Sequence, residues 1–352
     1  MSDYYLIAVI LFFSGILSSQ ILMEHWPSIE IYLVVLFFNT YYFPVLVIYG
    51  LILLDGRNKL RKQWLWVYAY PIIYNVFILL DIFVFNSYTS LAEIREIFFK
   101  PTKYQLLFYL TQYLYVIIVL VWLWKKLNRY TSSIKNYYSS IENINLNWFR
   151  FFIQSLLGLT SFGFVVFTLF SIGVIEDIEI PFGIEYILFI ILLFYFCYNG
   201  IRQYSLVNLN RSFVEEEVSR EKPKEKYLSS NLNEESINAH FRNISQLFDE
   251  EKLFLEPQLK IEDIAKRLEI SVHKASQIIN SKSNNSFFDF VNRYRVEYFK
   301  KLLSDPDKRK FTILALGIES GFNSKASMNR VFKNFVGQSP KEFQKSQQDI
   351  PL

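Results

Sequence analysis

Six apolar runs in the first 200 residues constrain the fold more than any other feature of this 352-residue chain. Each run approaches the roughly 20 residues that an α-helix needs to cross the hydrocarbon core of a bilayer. A large soluble domain with buried helices would not separate six such runs by short charged loops. We therefore predict a six-helix polytopic membrane domain over residues 1–201. Its spans are predicted at residues 4–22, 31–54, 64–85, 104–124, 149–175 and 183–201.

The charges of the loops predict which side of the membrane each loop faces, because Lys and Arg are retained in the cytoplasm. The loops after the first and fifth runs contain neither residue, and the loop after the third run is mixed. This alternation places both termini in the cytoplasm. The basic residues of the loops after the second and fourth runs are Arg57, Lys59, Arg61, Lys62, Lys125, Lys126, Arg129, Lys135 and Arg150.

Residues 202–237 form a charged linker between two unlike halves of the chain. The run at residues 215–226 contains Pro223 and cannot bury a core, so we expect a solvated helical extension that then breaks. Without a sustained heptad repeat, a plain spacer is at least as well supported as a stalk that transmits a signal or dimerises.

The remaining residues, 238–352, have the composition of a basic soluble domain. From residue 252 onward there are 18 Lys and Arg against 11 Asp and Glu, a net charge of +7, whereas the whole chain carries +4. A basic excess attracts a phosphate backbone through counterion release. A solvated basic face is also common in proteins, so the residue pattern has to decide between the two interpretations.

A helix-turn-helix pattern covers residues 261–280. Apolar residues at positions 261, 264, 265 and 268 form one helix face, and Ser271 is a favourable N-cap for the following helix. Ala265 is small at the point where the two helices must cross. The side chains on or near the outer face, where they can reach base edges or phosphates in a major groove, are His273, Lys274, Ser276 and Gln277.

A second pattern at residues 312–333 repeats the first. Thr312 and Ser324 are its N-caps, Gly317 takes the small crossing position and Gly321 makes the turn. A long helix over residues 287–303 separates the patterns, and recognition helices held about one DNA turn (~34 Å) apart would enter successive major grooves. The side chains predicted to face inward are Met328, Val331, Phe332 and Phe335. Those predicted to face outward are Lys325, Asn329, Arg330 and Lys333.

Residues 250–345 resemble the C-terminal DNA-binding domain of the AraC family of bacterial transcription regulators. The resemblance is carried by Gly-Phe-Asn-Ser at 321–324, Asn-Arg-Val-Phe-Lys at 329–333, Gly-Gln-Ser-Pro-Lys-Glu-Phe at 337–343 and Asn-Arg-Tyr-Arg-Val at 292–296. Residues 226–255 are similar to the lead-in of a membrane-bound subgroup of that family. The resemblance implies a double helix-turn-helix domain over residues 238–352. It implies base readers at His273, Ser276, Gln277, Lys325, Ala326 and Asn329, with Arg330 on phosphate or base.

The sequence gives little support for a metal site, a nucleotide-binding site or a catalytic site. The three histidines show no metal-ligand spacing, and neither a Walker motif nor a dinucleotide-binding glycine fingerprint is present. The single cysteine, Cys197, excludes an intrachain disulfide. We therefore predict a protein without enzymatic activity, cofactor or metal. Asp81 is a ligand-binding candidate because a carboxylate within a bilayer is costly, although an interfacial position is the simpler interpretation.

Together these features predict a membrane-bound one-component regulator in the bacterial inner membrane, which binds DNA sequence-specifically under control of a signal sensed by the membrane half. The predicted partners are double-stranded DNA, the lipid bilayer, a small-molecule or peptide signal of unknown identity, and a second copy of the chain. The alternative is a transporter or channel regulated by its cytoplasmic helical domain. Sparse internal polar residues and the lack of an obvious inverted repeat disfavour it.

Overall fold

The structure, a computed structural model, describes residues 2–26, 28–55, 62–85, 103–142, 144–177, 179–217 and 234–348. Within these ranges the regular secondary structure is helical, apart from one isolated antiparallel bridge between Tyr138 and Lys260. The prediction of an all-α chain is confirmed. The predicted cytoplasmic residues Arg57, Lys59 and Arg61, and the linker residues 218–233, lie outside the described ranges.

Thirteen α-helices follow one another along the described residues. They are α1 (Ser2–His25), α2 (Ile29–Asp55), α3 (Ala69–Leu80), α4 (Lys103–Ile134), α5 (Asn147–Ser171), α6 (Glu179–Glu217), α7 (Glu234–Asp249), α8 (Ile261–Arg267), α9 (Val272–Ser283), α10 (Phe287–Ser304), α11 (Ile313–Glu319), α12 (Lys325–Val336) and α13 (Pro340–Gln348). Short 3-10 helices at Lys62–Tyr68, Leu253–Leu255 and Pro306–Lys308, and a π-helical turn at Asp81–Phe85, complete the helical content.

The chain divides into two compact units. Residues 1–129 and 146–221 form the first, called here the apolar unit. Residues 130–145 and 222–352 form the second, called here the basic unit. The basic unit therefore includes a short stretch, the 130–145 segment, which begins in the last turns of α4 and ends just before α5.

Among the described residues, five helical stretches are long and apolar enough to cross a bilayer. They are Ile29–Leu54, Trp64–Val84, Tyr109–Ile134, Asn147–Ser171 and Ile180–Gln203, and α1 adds a shorter apolar stretch, Tyr4–Ser18. Many of their large apolar side chains are exposed, such as Phe194 at 71% and Ile118 at 65%. A surface of this kind suits contact with lipid rather than with water. Helix α6 continues beyond the last predicted span, through residues 202–217.

Aromatic side chains fill the interior of the apolar unit. Phe196 of α6 is fully buried, and its ring centroid lies 4.7 Å from that of Phe152 and 5.5 Å from that of Tyr49. These contacts join α6 to α5 and α2 by the offset and edge-on arrangements that aromatic rings favour. The unit thus has a packed interior and an apolar exterior.

The basic unit has two hydrophobic cores that share one helix. The first core packs α7, α8 and α9 against the N-terminal part of α10, which contributes Phe287 and Val291. The second packs α11, α12 and α13 against the C-terminal part of α10, which contributes Val296 and Phe299. Because α10 is a single rigid rod common to both cores, it holds the two halves of the basic unit in one arrangement.

The 130–145 segment is built into the basic unit by backbone hydrogen bonds. Ser139 N donates to Leu259 O at 3.1 Å, Ile261 N donates to Tyr137 O at 3.1 Å and Phe288 N donates to Lys135 O at 2.8 Å. The segment therefore touches the starts of both α8 and α10. Its apolar side chains also enter the cores, since Ile141 is 6% exposed within the second.

We predict that Gly321 is a point where even one methyl group is not tolerated. Its φ is +89°, and an added Cβ would lie 2.6 Å from Phe254 O and 3.0 Å from Leu255 Cα, which are backbone atoms that cannot rotate away. Gly321→Ala should destabilise the basic unit by about 3 kcal/mol or more, from steric overlap added to left-handed strain.

Gly337→Ala is the matched control, because Gly337 has a φ of +83° and an added Cβ there would meet open space. It should cost only about 1–2 kcal/mol, the strain of the left-handed backbone alone. Thermal melts of both full-length variants in detergent, followed by protease sensitivity of the basic unit, compare them. Equal losses in the two variants would contradict the close approach at Gly321.

Candidate nucleic-acid interface

Helices α8 and α9 form the first helix-turn-helix unit. The turn is closed by a hydrogen bond from Ile270 N to Ala265 O at 3.0 Å, and Glu269 takes a positive φ of 55°. Ser271 then caps α9, with its Oγ accepting from Lys274 N at 3.2 Å. Ala265 is 2% exposed, as expected for a small residue at a close helix crossing.

Helices α11 and α12 form the second helix-turn-helix unit, and an equivalent hydrogen bond closes its turn. Phe322 N donates to Gly317 O at 3.1 Å, the counterpart of the Ile270–Ala265 bond, and Gly321 takes the positive φ. Ser324 caps α12 by accepting from Ser327 N at 3.1 Å. Ser324 follows Phe322 by two positions, whereas Ser271 directly follows Ile270, so the second turn is one residue longer.

The predicted DNA-contacting residues of α9 differ in exposure. His273 is exposed, Lys274 and Gln277 are half-buried, and Ser276 is only 7% exposed. Ser276 is buried because Ile279, one turn further along the helix, faces the first core. The structure therefore brings His273, Lys274 and Gln277 to the surface of α9 and leaves Ser276 against the core.

Lys274 has a partner within the basic unit. His240 Nδ1 lies 2.6 Å from Ser236 O, to which it donates, and this tautomer leaves His240 Nε2 as an acceptor. Lys274 Nζ lies 3.3 Å from that Nε2 and donates to it. Helix α7, which lies upstream of the helix-turn-helix patterns, thus positions one of the basic side chains of the first recognition helix.

On α12 the predicted outer face is accessible. Lys325, Ala326, Arg330 and Lys333 are exposed, and Asn329 is half-buried.

The predicted inner face of α12 includes one error. Met328, Val331 and Phe332 are buried, but Phe335 is 37% exposed. Val336 packs against the second core in the last turn of the helix, so the inward position expected for Phe335 belongs to its neighbour.

The sequence at 337–343 closes α12 and starts α13. Gly337 ends α12 with a left-handed residue whose N–H donates to Lys333 O at 2.8 Å. Ser339 and Glu342 then form a reciprocal cap, in which Ser339 N donates to the Glu342 carboxylate at 2.7 Å and Glu342 N donates to Ser339 Oγ at 3.3 Å. The hydrogen bond from Ser339 N lowers the pKa of Glu342. Phe343 packs its ring 5.6 Å from Phe332, which ties α13 to the recognition helix.

A buried arginine joins α10 to the stretch ahead of α8 and to the 130–145 segment. Arg295 of α10 is 1% exposed. Its Nε donates to Phe254 O at 2.7 Å, and its Nη2 donates to Glu256 O at 2.7 Å and to Ser139 Oγ at 3.1 Å. Burial lowers the pKa of Arg295 to about 10, partly offset by the charge of Glu256, so the group stays cationic at neutral pH.

The sequence patterns missed the contribution of the 130–145 segment. Ser139 bonds to α10 through both Arg295 and Asn292, and Glu142 bonds to Ser324 at the start of α12. The signal in the sequence was the apolar Ile141 and Ile144, in a loop that was interpreted only through its basic residues.

Asp81, the predicted ligand-binding candidate of the apolar half, lies far in sequence from these groups. It directly follows α3 and is 9% exposed, beside Ile82, which packs with Tyr74 and Ile78. Within the described residues there is no group of three or more His, Cys, Asp or Glu arranged to hold a metal ion.

Comparison with known proteins identifies a known domain within residues 234–348. The family model described as a helix-turn-helix domain matches residues 264–346. The Msm operon regulatory protein of Streptococcus mutans is 30% identical over 91 residues, 26% of this chain and 32% of that protein. The melibiose operon regulatory protein of Escherichia coli is 28% identical over 90 residues, 26% of this chain and 29% of that protein. The chain therefore spans about a third of the length of these curated relatives.

A solved structure of a protein of unknown function from Listeria innocua covers 30% of this chain and 95% of its own, at 24% identity and a TM-score of 0.27. An overlap this poor in three dimensions lends no weight to any conclusion. The sequence matches and the two equivalent turns both indicate a helix-turn-helix domain without that structure. Residues 264–346 are a helix-turn-helix domain of the AraC type.

Proposed function

We propose that the chain is a membrane-anchored transcription regulator that binds DNA sequence-specifically through α9 and α12. The observation that carries the proposal is the pair of equivalent helix-turn-helix units, each presenting polar and basic side chains on its second helix. Such a helix fits the major groove of B-DNA, whose base edges offer hydrogen-bonding patterns unique to each base pair. The names of the matched relatives, both operon regulatory proteins, support the same role.

In the second helix-turn-helix unit, different side chains suit base reading and phosphate binding. Asn329, with an amide that both donates and accepts, suits bidentate pairing with an adenine edge. Lys325, Arg330 and Lys333 are exposed cations that suit phosphate oxygens and fix the register of the protein on the duplex. In the first unit, His273 and Gln277 are the accessible counterparts, with Lys274 alongside.

The apolar half supports anchoring in a membrane. In the part of the chain that the structure describes, five stretches are long enough to span it, and their exposed apolar side chains suit a lipid environment better than water. We infer that this half receives a signal, for which Asp81 is the ligand-contact candidate, and that a second copy of the chain assembles at paired DNA sites. The domain boundaries proposed are 1–201 for the membrane half, 202–237 for the linker and 238–352 for the DNA-binding half.

Two single variants of α12 should show separate effects, one on base discrimination and the other on affinity for any duplex. Asn329→Ala should reduce discrimination among bases by about 1–3 kcal/mol at one position, through loss of a bidentate contact. Lys333→Ala should weaken binding to all duplexes alike and lower the slope of log affinity against log salt by about 1.

The measurement uses the full chain in lipid nanodiscs and a duplex enriched by that chain from a random-sequence pool, titrated over a range of salt. Binding of the wild type to random DNA serves as the reference for sequence preference. The proposal fails if the pool yields no enriched sequence. An unchanged preference profile in Asn329→Ala would remove that residue from the base readers.

The proposed topology predicts that the C-terminus is cytoplasmic. A reporter that is active only in the cytoplasm, fused after the last residue, should be active, whereas a reporter active only in the periplasm should be silent there. The reason is the retention of Lys and Arg on the cytoplasmic side. Fusions at Glu176, in a loop predicted to lie outside, should give the opposite result and serve as the control. Periplasmic activity at the C-terminus would rule out access to DNA.

A further inference from the structure

The 130–145 segment places an acidic side chain on the second recognition helix. Oε2 of Glu142 accepts a hydrogen bond from Ser324 Oγ at 2.7 Å, and its Oε1 lies 3.8 Å from Nη2 of Arg330. The Glu142 side chain is 22% exposed and that of Arg330 is 43% exposed. One carboxylate thus engages both the N-cap of α12 and an exposed cation on its outer face.

Both partners of Glu142 are groups of the kind that hold a DNA phosphate. Ser324 accepts from Ser327 N, so its hydroxyl proton is free for an anion at the start of α12, where the helix dipole favours negative charge. Arg330 is a guanidinium, the side chain best suited to phosphate oxygens. A phosphate approaching these two groups would meet a carboxylate already bound to them, with the same sign of charge.

The carboxylate is held in place by the rest of the segment. Ser139 is 1% exposed and bonded to Leu259 O through both its N–H and its hydroxyl. Ile141, directly before Glu142, is buried in the second core. Glu142 therefore does not sample the surface freely, because anchored residues precede it.

The segment is also continuous in sequence with two candidate membrane spans. Its first five residues end the stretch Tyr109–Ile134, and its last residues precede Asn147–Ser171. Any displacement of the cytoplasmic end of either helix pulls on the segment directly, without passing through residues 202–237. The Glu142–Arg330 pair is a partly exposed attachment of the segment, and pairs of this kind are only marginally stable.

We infer that Glu142 acts as an internal mimic of a DNA phosphate, which keeps the second helix-turn-helix unit in a low-affinity state until the membrane half draws the Glu142 side chain away from α12. This inference rests on the proposed function and deepens it, because it names the contact through which the membrane half controls DNA binding. DNA and Glu142 compete for Ser324 and Arg330, so each weakens the binding of the other.

The test compares Glu142→Gln with Glu297→Gln in the full chain in nanodiscs, on the duplex enriched by the wild type. Both variants raise the net charge by one, but Glu297 pairs with Lys300 on α10, at 3.0 Å, and not with α12. Glu142→Gln should bind the duplex about three- to ten-fold more tightly, with a steeper salt dependence because Arg330 becomes available to phosphate. Glu297→Gln should stay within about two-fold of the wild type.

A second readout does not depend on a variant. Binding of the enriched duplex to the wild type should speed amide hydrogen exchange in peptides that cover Glu142, while it slows exchange in α12. Equal or weaker binding by Glu142→Gln, or unchanged exchange at Glu142, would overturn the inference while the proposed function stands. If neither the wild type nor either variant prefers the enriched duplex over random DNA, the proposed function fails and the inference fails with it.

Discussion

The buried guanidinium of Arg295 is the interaction on which the arrangement of the basic unit depends. It bonds to backbone carbonyls of Phe254 and Glu256, ahead of α8, and to Ser139 of the 130–145 segment. A cation taken out of water is costly unless its donors are satisfied, and here neutral oxygens satisfy them. Loss of any one acceptor would leave one of the guanidinium's buried N–H groups unsatisfied, which is costly, so the bonds favour keeping the three stretches together.

This junction gives the two helix-turn-helix units a common frame. Phe254 O, which accepts from Arg295, is also the atom against which Gly321 packs at the turn of the second unit. Helix α10 contributes side chains to both cores. Its Arg295 holds the backbone at Phe254 and Glu256 and the side chain of Ser139 against the helix. Because both recognition helices pack on cores that share α10, their separation is set. A set separation is the geometric requirement for reading two successive grooves of one duplex.

The sequence predicted the features that depend on neighbouring residues. Ser271, Thr312 and Ser324 cap their helices as expected, because an N-cap is decided within three residues of the chain. Gly317, at the predicted small crossing position, is buried and lies against Met328. The burial of Ser276 and the exposure of Phe335 were missed, since one position of helical rotation moves a side chain between faces and periodicity alone does not resolve it.

The features that depend on distant parts of the chain were not predictable. Ser139 and Arg295 are separated by 156 positions, and Ser324 and Glu142 by 182. Nothing in the local pattern of residues 130–145 pairs that segment with a domain more than a hundred residues away. The consequence is a different view of the connection: the charged linker is not the only route from the apolar half to the recognition helices, because a loop between two of its helices is part of the basic unit.

Hydroxyl-radical footprinting tests the central claim most directly, which is that one chain presents two recognition helices at a fixed separation. The full chain in nanodiscs would be bound to its enriched duplex and the protected nucleotides mapped on both strands. The account predicts two protected patches on the same face, with centres about 10 base pairs apart. Protection of a single groove, or of two patches whose spacing varies among enriched sequences, would contradict it.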